Sequence, residues 1–405
     1  MSVSTSKSLF FIFLTVLIDV IGLGIIIPVM PKLIEELIGG TLSDASRYGG
    51  LLMFCYALTQ FFFASVLGNL SDRFGRRPIL LISLLGFSIN YLLMGLAPTI
   101  VWLFIGRFIA GITGASYTVA AAFIADISSQ EKKAQNFGLL GAAFGLGFIV
   151  GPLLGGLLGH YGARIPFYAA AILSFLNFLY GYFLIPESLQ KDNRRPFKWR
   201  NANPVGAFKQ LAKYPHLKQL FFCIFLINIA SHAVQSTWSY YTMERYQWDE
   251  RMVGISLGFV GALVAVVQAG LIRIIIPKLG LEKSILIGCG LYMISMPLMG
   301  MAFAPWLIFL AIVPYVFAGI AGPAIQSLIS NETPSNEQGQ IQGGLTSIIS
   351  LTAIIGPPVM SWLFAHFTDK KEALYLPGAP FYLGFVLTAV SFIIACFFFR
   401  SKKKR

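Results

Sequence analysis

The chain has 405 residues, of which 56% are hydrophobic and 12% are charged, and its net charge is +13. A soluble protein of this length has about twice that charged fraction, and its apolar residues recur with an amphipathic period. The apolar runs in this chain are continuous, which also excludes a transmembrane β-barrel, whose strands alternate apolar and polar residues. We therefore expect an all-α membrane protein that crosses the bilayer many times.

Twelve apolar runs are long enough to cross about 30 Å of hydrocarbon at about 1.5 Å per residue. In chain order they lie near residues 8–31, 48–69, 79–97, 99–125, 136–159, 164–185, 219–241, 252–276, 284–303, 305–329, 341–366 and 379–399. The first run contains Asp19 and Pro28 and lacks a small-residue cleavage site, so we interpret it as an uncleaved span rather than a signal peptide.

The distribution of Lys and Arg predicts the orientation of these spans. With the N-terminus inside, 22 of the 30 Lys and Arg residues lie in cytoplasmic segments and Arg107 alone lies within a span. Both termini are then cytoplasmic, in a plasma membrane such as the bacterial inner membrane. Basic residues beside span ends suit anionic lipid headgroups, so we expect a multi-pass monomer in contact with membrane lipid and no nucleic-acid partner.

Signals for metal binding and enzymatic catalysis are poor. The four cysteines lie inside apolar runs without CxxC spacing, which favours buried thiols, and the four histidines are scattered along the chain. A GxSxG pattern at Gly254 begins an apolar span instead of linking a strand to a helix. We expect no metal, no cofactor and no enzyme, and the lack of a nucleotide-binding loop favours a gradient as the energy source.

The chain divides into two similar halves. A basic stretch, KDNRRPFKWRNANP, separates six spans from six and predicts an N-terminal half at 1–185, a cytoplasmic linker at 186–218 and a C-terminal half at 219–405. A shift of 205 residues aligns Gly75 with Gly280, and a shift of 208 aligns AGITG with AGIAG. Such a parallel repeat is typical of transporters whose halves rock about a central site.

Charged residues and glycines are concentrated in the turn between spans two and three, GNLSDRFGRRP, which begins at Gly68. Span four also ends on an acid at the inner face. Carboxylates at two helix ends with arginines between them form charge-assisted bonds that lock helices together. We predict an inner gate; its members are Gly68, Asp72, Arg73, Gly75, Arg76 and Asp126. The simpler interpretation is a basic turn that only sets topology.

This turn resembles the loop signature of the major facilitator superfamily. Three further segments are similar to the twelve-span drug/proton antiporters, in particular the tetracycline/proton antiporters. They are DVIGLGIIIPVMP from Asp19, GRFIAGITG from Gly106 and the glycine-rich run from Gly141 to Gly156. The resemblance implies the major facilitator fold and proton-coupled efflux of an amphipathic organic small molecule.

Two charged residues lie deep within spans. Asp19 is about ten residues from the inner end of span one, or about 15 Å at 1.5 Å per residue, and Arg107 lies in span four. An unpaired charge in a bilayer costs at least a few kcal/mol, so we expect the two to pair if their helices are adjacent. The resemblance implies a role for Arg107 in proton coupling and matches Asp19 to an acid of the family, and we assign proton coupling to both.

The chain also departs from the tetracycline antiporters. They carry an acid in span three where this chain has Asn90, span nine has no acid, and Gln268 lacks their preceding histidine. Because an amide does not carry a proton between two faces, the sequence predicts weak export of tetracycline itself.

Polar and aromatic residues inside the spans are candidates for the wall of a substrate cavity, and span seven contributes the most at helical spacing. The set is Tyr56, Gln60, Tyr117, Asn228, His232, Gln235, Trp238, Gln268, Tyr315, Gln326 and Gln342. Two alternatives stay open: a siderophore or metabolite transporter on the same scaffold, and a membrane receptor or scaffold that binds a ligand without turnover.

Overall fold

The structure is a computed structural model that describes residues 5–114, 116–129, 132–197, 211–334 and 337–403. Residues 198–210, in the middle of the predicted linker, lie outside the described residues. Within the described ranges, twelve helical stretches are long and apolar enough to cross a membrane. This number agrees with the twelve spans predicted from the sequence.

The helices are numbered here in chain order. They are α1 (Thr5–Ile25), α2 (Met30–Ile38), α3 (Leu42–Phe74), α4 (Arg76–Gly95), α5 (Ile100–Thr113), α6 (Ser116–Ile127), α7 (Lys133–Gly159), α8 (Ile165–Leu184), α9 (Lys218–Tyr246), α10 (Glu250–Ala265), α11 (Ile272–Met301), α12 (Pro305–Ala318), α13 (Ala321–Asn331), α14 (Gln338–Thr368) and α15 (Ala379–Lys403). A π-helical turn, Val266–Leu271, joins α10 to α11, and short 3-10 turns lie at Lys191–Asn193 and Pro215–Leu217.

The prediction that span one continues to residue 31 is wrong. α1 ends at Ile25, and a turn precedes the short α2, whose first residues include Pro31. Proline lacks a backbone N–H and is favoured at the start of a helix, so Pro28 and Pro31 explain why one helix ends and another begins here. α2 ends at Gly39, whose φ of 62° is the usual left-handed helix ending.

Spans four and ten are each broken into two helices at the glycine-rich segments that the repeat aligned. In span four the break lies at Gly114, between α5 and α6, and in span ten it lies around Gly319, between α12 and α13. Both segments therefore lie at a helix break, which falls at the last residue of AGITG and at the second residue of AGIAG.

Gly75 and Gly280, the other aligned pair, also share their backbone conformation. Their φ and ψ angles are 108° and 161° at Gly75 and 77° and 166° at Gly280. Only glycine adopts this region readily, because a Cβ atom would be strained there. Gly280 interrupts the helical geometry of α11. It therefore separates predicted span eight, which ends near residue 276, from predicted span nine, which begins near residue 284.

The chain forms two compact units. Unit 1 consists of Met1–Gly39, Cys55–Asn203 and Asp249–Gly261, and unit 2 consists of Gly40–Phe54, Pro204–Trp248 and Ala262–Arg405. Each unit has its own apolar core, centred in unit 1 on residues such as Leu80 and Phe123 and in unit 2 on residues such as Leu217, Ile285 and Ile329.

In unit 1, α1 packs closely against α7 along a row of glycines at four-residue spacing. An added Cβ at Gly147 would lie 2.7 Å from Val20, and one at Gly151 would lie 2.8 Å from Gly24. The next glycine of the row, Gly155, faces the backbone of Ile25. Small residues allow this close helix approach, which fixes the position of α1.

Candidate functional site

Asp19 lies in the middle of α1 and is 6% exposed. The Ser116 hydroxyl donates a hydrogen bond to its Oδ2 atom, while Oδ1 is buried and has no partner among the described residues. Ser116 begins α6, directly after the break at Gly114, and α6 packs against α1. The break in span four therefore brings a hydroxyl group to the buried carboxyl.

Arg107 lies on α5 and is 8% exposed. Within the part of the chain that the structure describes, no ion pair joins it to Asp19, so the pairing expected for adjacent helices does not form. The groups in electrostatic range of the guanidinium are Tyr91, Tyr56 and Cys55. Both charges are buried, as predicted, but they lie on helices with different neighbours. Arg107 lies on α5, which packs against α4, whereas Asp19 lies on α1, which packs against α6, α7 and α8.

Tyr56 and Gln60, two predicted cavity residues of α3, lie together near Arg107. The Gln60 amide donates to the Tyr56 hydroxyl at 2.8 Å and to the backbone oxygen of Gly114 at 3.0 Å. Gln60 thus connects α3 to the break in span four, and both residues lie in the same unit as Asp19.

The predicted cavity residues of span seven lie on α9 in unit 2 and differ in exposure. Trp238 is 2% exposed and is a core residue, so its assignment to an open cavity wall is wrong. The Asn228 amide donates to the Ile224 carbonyl at 2.8 Å, and Gln235, which is exposed, donates to Ser231 at 3.0 Å. His232 is buried against Gly356, and its Nδ1 atom has no partner among the residues described.

The remaining predicted cavity residues do not form one group. Tyr117 is exposed and its ring meets the edge of Phe144, and Gln268 and Gln342 are also exposed. Gln326 is half-buried, and Tyr315 is half-buried with its ring against Tyr292. A cavity of about 840 Å³ in unit 2 is lined by other residues, including Lys218, Glu332 and Lys402.

The predicted inner cluster is largely formed. Arg76 contacts Asp72 through Nη1 and Oδ1 at 2.5 Å, and it contacts Asp126 through Nε and Oδ2 at 3.0 Å. Its Nη1 atom also donates to the Ser71 hydroxyl at 2.7 Å. Gly75 supplies the left-handed backbone that turns α3 into α4 immediately before Arg76. All of these residues belong to unit 1.

Two predicted members lie outside this cluster. The Arg73 side chain is exposed and its guanidinium lies 5.0 Å from the centre of the Phe74 ring. Among the residues described, no ion pair includes Arg73, and an added Cβ at Gly68 would meet nothing within 4 Å. Asp72 lies four residues before Arg76 and faces it, whereas Arg73, the next residue of α3, points to the surface.

Sequence reasoning missed the residues that follow span six. The Glu187 carboxylate accepts the backbone N–H groups of Arg76 at 2.8 Å and of Arg77 at 3.3 Å, at the start of α4. The Ser188 hydroxyl donates to Asp126 at 3.0 Å. An acid near a free helix N-terminus is a known capping arrangement, but the sequence alone did not indicate which helix Glu187 reaches.

These features define a class of protein. The described residues contain twelve helices long and apolar enough to span a membrane, in a repeated architecture, and a carboxyl group is buried within the first span. Such features are typical of a helical transporter that moves a small molecule along with ions.

Comparison with known proteins identifies the family. The sequence profile of the Major Facilitator Superfamily matches residues 12–343 and 275–405, and the chain belongs to this family. The chain is 38% identical to the class C tetracycline resistance protein of Escherichia coli over 94% of this chain and 95% of that protein. It is 35% identical to the class H tetracycline resistance protein of Pasteurella multocida over 95% and 96%.

Solved structures share the fold. The human organic anion transporter MFSD10 (TETRAN) is similar with a TM-score of 0.72 at 22% identity, over 97% of this chain and all of that one. The nucleoside transporter NupG has a TM-score of 0.78 at 13% identity, over 97% of this chain and 98% of NupG. Together, the family and the relatives confirm the predicted fold, the predicted resemblance and the predicted class, a proton-coupled efflux transporter. This family consists of transporters rather than enzymes.

Proposed function

We propose that the protein exports an amphipathic organic compound in exchange for protons, and that Asp19 carries the proton. The observation that supports this most directly is the buried Asp19 carboxyl, with Ser116 on one oxygen and no partner among the described residues on the other. An ionised carboxylate without partners is costly at this depth. The site therefore favours a proton on Asp19 when it is closed and loses that proton when water or substrate reaches it.

Arg107 places a second buried charge, a positive one, in the same unit as Asp19. The two are not in contact, yet both lie in electrostatic range of Tyr56 and Tyr91. A guanidinium that is not neutralised by a carboxylate acts through its field over several ångströms in a medium of low dielectric constant. We assign Arg107 to coupling on this basis, without direct proton transfer.

The proposed substrate follows from the relatives and from the departures in the sequence. Proteins named for tetracycline resistance share up to 38% of their residues with this chain. Asn90, at the position of the acid in span three, is fully buried. We therefore propose an amphipathic organic compound other than tetracycline as the preferred substrate. The proposed setting is a bacterial plasma membrane, with both termini cytoplasmic and the protein acting as a monomer among lipids.

The test uses purified protein in liposomes with an imposed pH gradient, with ethidium and tetracycline as probes. We expect ethidium movement that depends on the gradient, and we expect Asp19→Asn to abolish it while the protein still inserts. Glu36→Gln, which removes an exposed acid from α2, serves as the matched control and retains transport. Undiminished gradient-driven flux in Asp19→Asn contradicts the assignment, and saturable binding of both probes without flux indicates a receptor.

A further inference from the structure

Several buried polar atoms lie beside α1, on α1 itself and on α4 and α8, close to Thr15 and Gly22. Four of these atoms are buried and have no hydrogen-bond partner among the residues that the structure describes: Thr15 Oγ1, Tyr91 Oη, Ser174 Oγ and Asn177 Oδ1. Their side chains are at most 1% exposed. Asp19 Oδ1, on α1 between Thr15 and Gly22, is likewise buried and has no partner among the described residues.

These atoms follow one face of α1. Thr15, Asp19 and Gly22 are spaced by four and three residues, so they lie on the same side of the helix, over about 10 Å of its length. The Asn177 amide donates to the Thr15 carbonyl at 3.0 Å, which places Asn177 at the inner end of the row.

Tyr91 and Ser174 lie at the other end of this row. A Cβ atom added at Gly22 would lie 3.4 Å from Tyr91 Oη and 3.5 Å from Ser174 Oγ, so both hydroxyl groups face the same turn of α1. Tyr91 is also in electrostatic range of Asp19. The row therefore continues for about one helical turn on each side of the carboxyl.

Buried polar atoms in folded proteins are almost always paired, either with protein groups or with ordered water. A buried water molecule forms about three hydrogen bonds to such groups. We propose that this row binds a chain of water molecules and that Tyr91, with Ser174, relays protons through it to and from Asp19. This proposal rests on the proposed function, because it takes Asp19 as the proton carrier.

The relay conserves protons at every atom. Asp19 gives the proton on Oδ1 to the adjacent water, and that water passes one of its own protons to the next oxygen. The Tyr91 hydroxyl accepts one proton and donates its own, so it returns to the neutral state. Only a positive charge moves along the row, and no group other than Asp19 changes its protonation state.

The experiment measures protonation of Asp19 directly and needs no substrate. In purified full-length protein, time-resolved infrared spectroscopy follows the carboxylic C=O band after a pH jump, and the band of Asp19 is the one that Asp19→Asn removes. We expect Tyr91→Phe to slow this protonation at least about tenfold, in line with a positioned proton-transfer group. The pH midpoint of the band stays within the range of the wild type, because the relay affects a rate and not an equilibrium.

A second variant removes no hydroxyl group. Gly22→Ala adds a methyl group beside Tyr91 and Ser174, at contact distances of 3.3 Å and more, which is tight but tolerable for folding. It fills the space next to the row, and we expect a similar slowing of protonation. Tyr180→Phe on α8 is the control, since its ring stacks on Phe11 at 4.3 Å and retains that contact.

The outcomes separate this proposal from the proposed function. Wild-type rates in both Tyr91→Phe and Gly22→Ala overturn the relay, even where Asp19→Asn abolishes gradient-driven transport. A slower rate with a shifted midpoint in Tyr91→Phe also overturns it, because that result indicates an electrostatic or structural role. Slower rates at an unchanged midpoint in both variants, with Tyr180→Phe normal, support it.

Discussion

Arg76 is expected to hold the inner end of unit 1 together, and replacing it by glutamine tests this. Its contact with Asp126, whose side chain is 20% exposed, is a charge-assisted bond worth about 1.5 to 3 kcal/mol. Its contact with Asp72, which is 40% exposed, contributes at most about 1 kcal/mol because water screens it. Together the two contacts give about 1.5 to 4 kcal/mol of local stability.

Amide hydrogen exchange measures this local stability in the membrane-embedded protein. Exchange from a locally opened state speeds up with the loss of opening free energy, and every 1.4 kcal/mol is about tenfold. We therefore expect Arg76→Gln to accelerate exchange about 10- to 700-fold in peptides that contain residues 71–77 and the end of α6. Peptides from unit 2 serve as internal references and keep their exchange rates.

Arg73→Gln is the matched control, because it removes the same charge from an exposed neighbouring position. It should leave exchange in these peptides within about twofold of the wild type, as for an exposed charge worth little. Equal exchange in the two variants would refute the reasoning, since the inner cluster would then contribute no more than a topology signal.

Three further predictions concern other parts of the molecule. The Glu250 carboxylate raises the pKa of Lys32, mainly through their hydrogen bond. A raised pKa gives stability that is present below about pH 10.4 and is lost as the pH rises through the pKa of the folded state. Lys32→Met should remove this loss, so its thermal unfolding temperature should fall less than that of the wild type between neutral and strongly alkaline pH. Gly254→Val places a side chain against the main chain of α7 and should cost about 1 to 3 kcal/mol by overpacking, whereas Gly270→Ala, in open space, should leave the unfolding temperature unchanged. Expression of the wild-type protein in a susceptible strain should raise the tolerated tetracycline concentration little, because Asn90 is a neutral amide, and robust resistance would show this to be wrong.

Hydropathy predicted the number of spans because a span needs only length and apolar composition. The inner cluster was predictable in part, since Asp72 and Arg76 are close along the chain and form a local turn. Glu187 was not, because it reaches the start of α4 from 111 residues away and only packing decides which helix end it contacts. Asp19 is buried, as its place inside an apolar run led us to expect, but counting residues does not give the helix faces that decide its contacts.

The expected pair of Asp19 and Arg107 failed for the same reason. Two charges at similar depth meet only if their helices are neighbours and their faces agree, and α1 packs against α6 rather than α5. The glycine-rich break in span four was visible as AGITG, yet a single sequence does not distinguish a flexible packing segment from a break between helices. Trp238 was misplaced because an aromatic residue in a span suits a core as well as a cavity wall.

The turns at Gly75 and Gly280 differ in how much room surrounds them. An added Cβ at Gly75 would overlap the Glu187 carboxylate, whereas one at Gly280 would meet nothing within 4 Å. The open space around Gly280 makes the second turn a more suitable place than the first for an inserted epitope or fluorescent reporter.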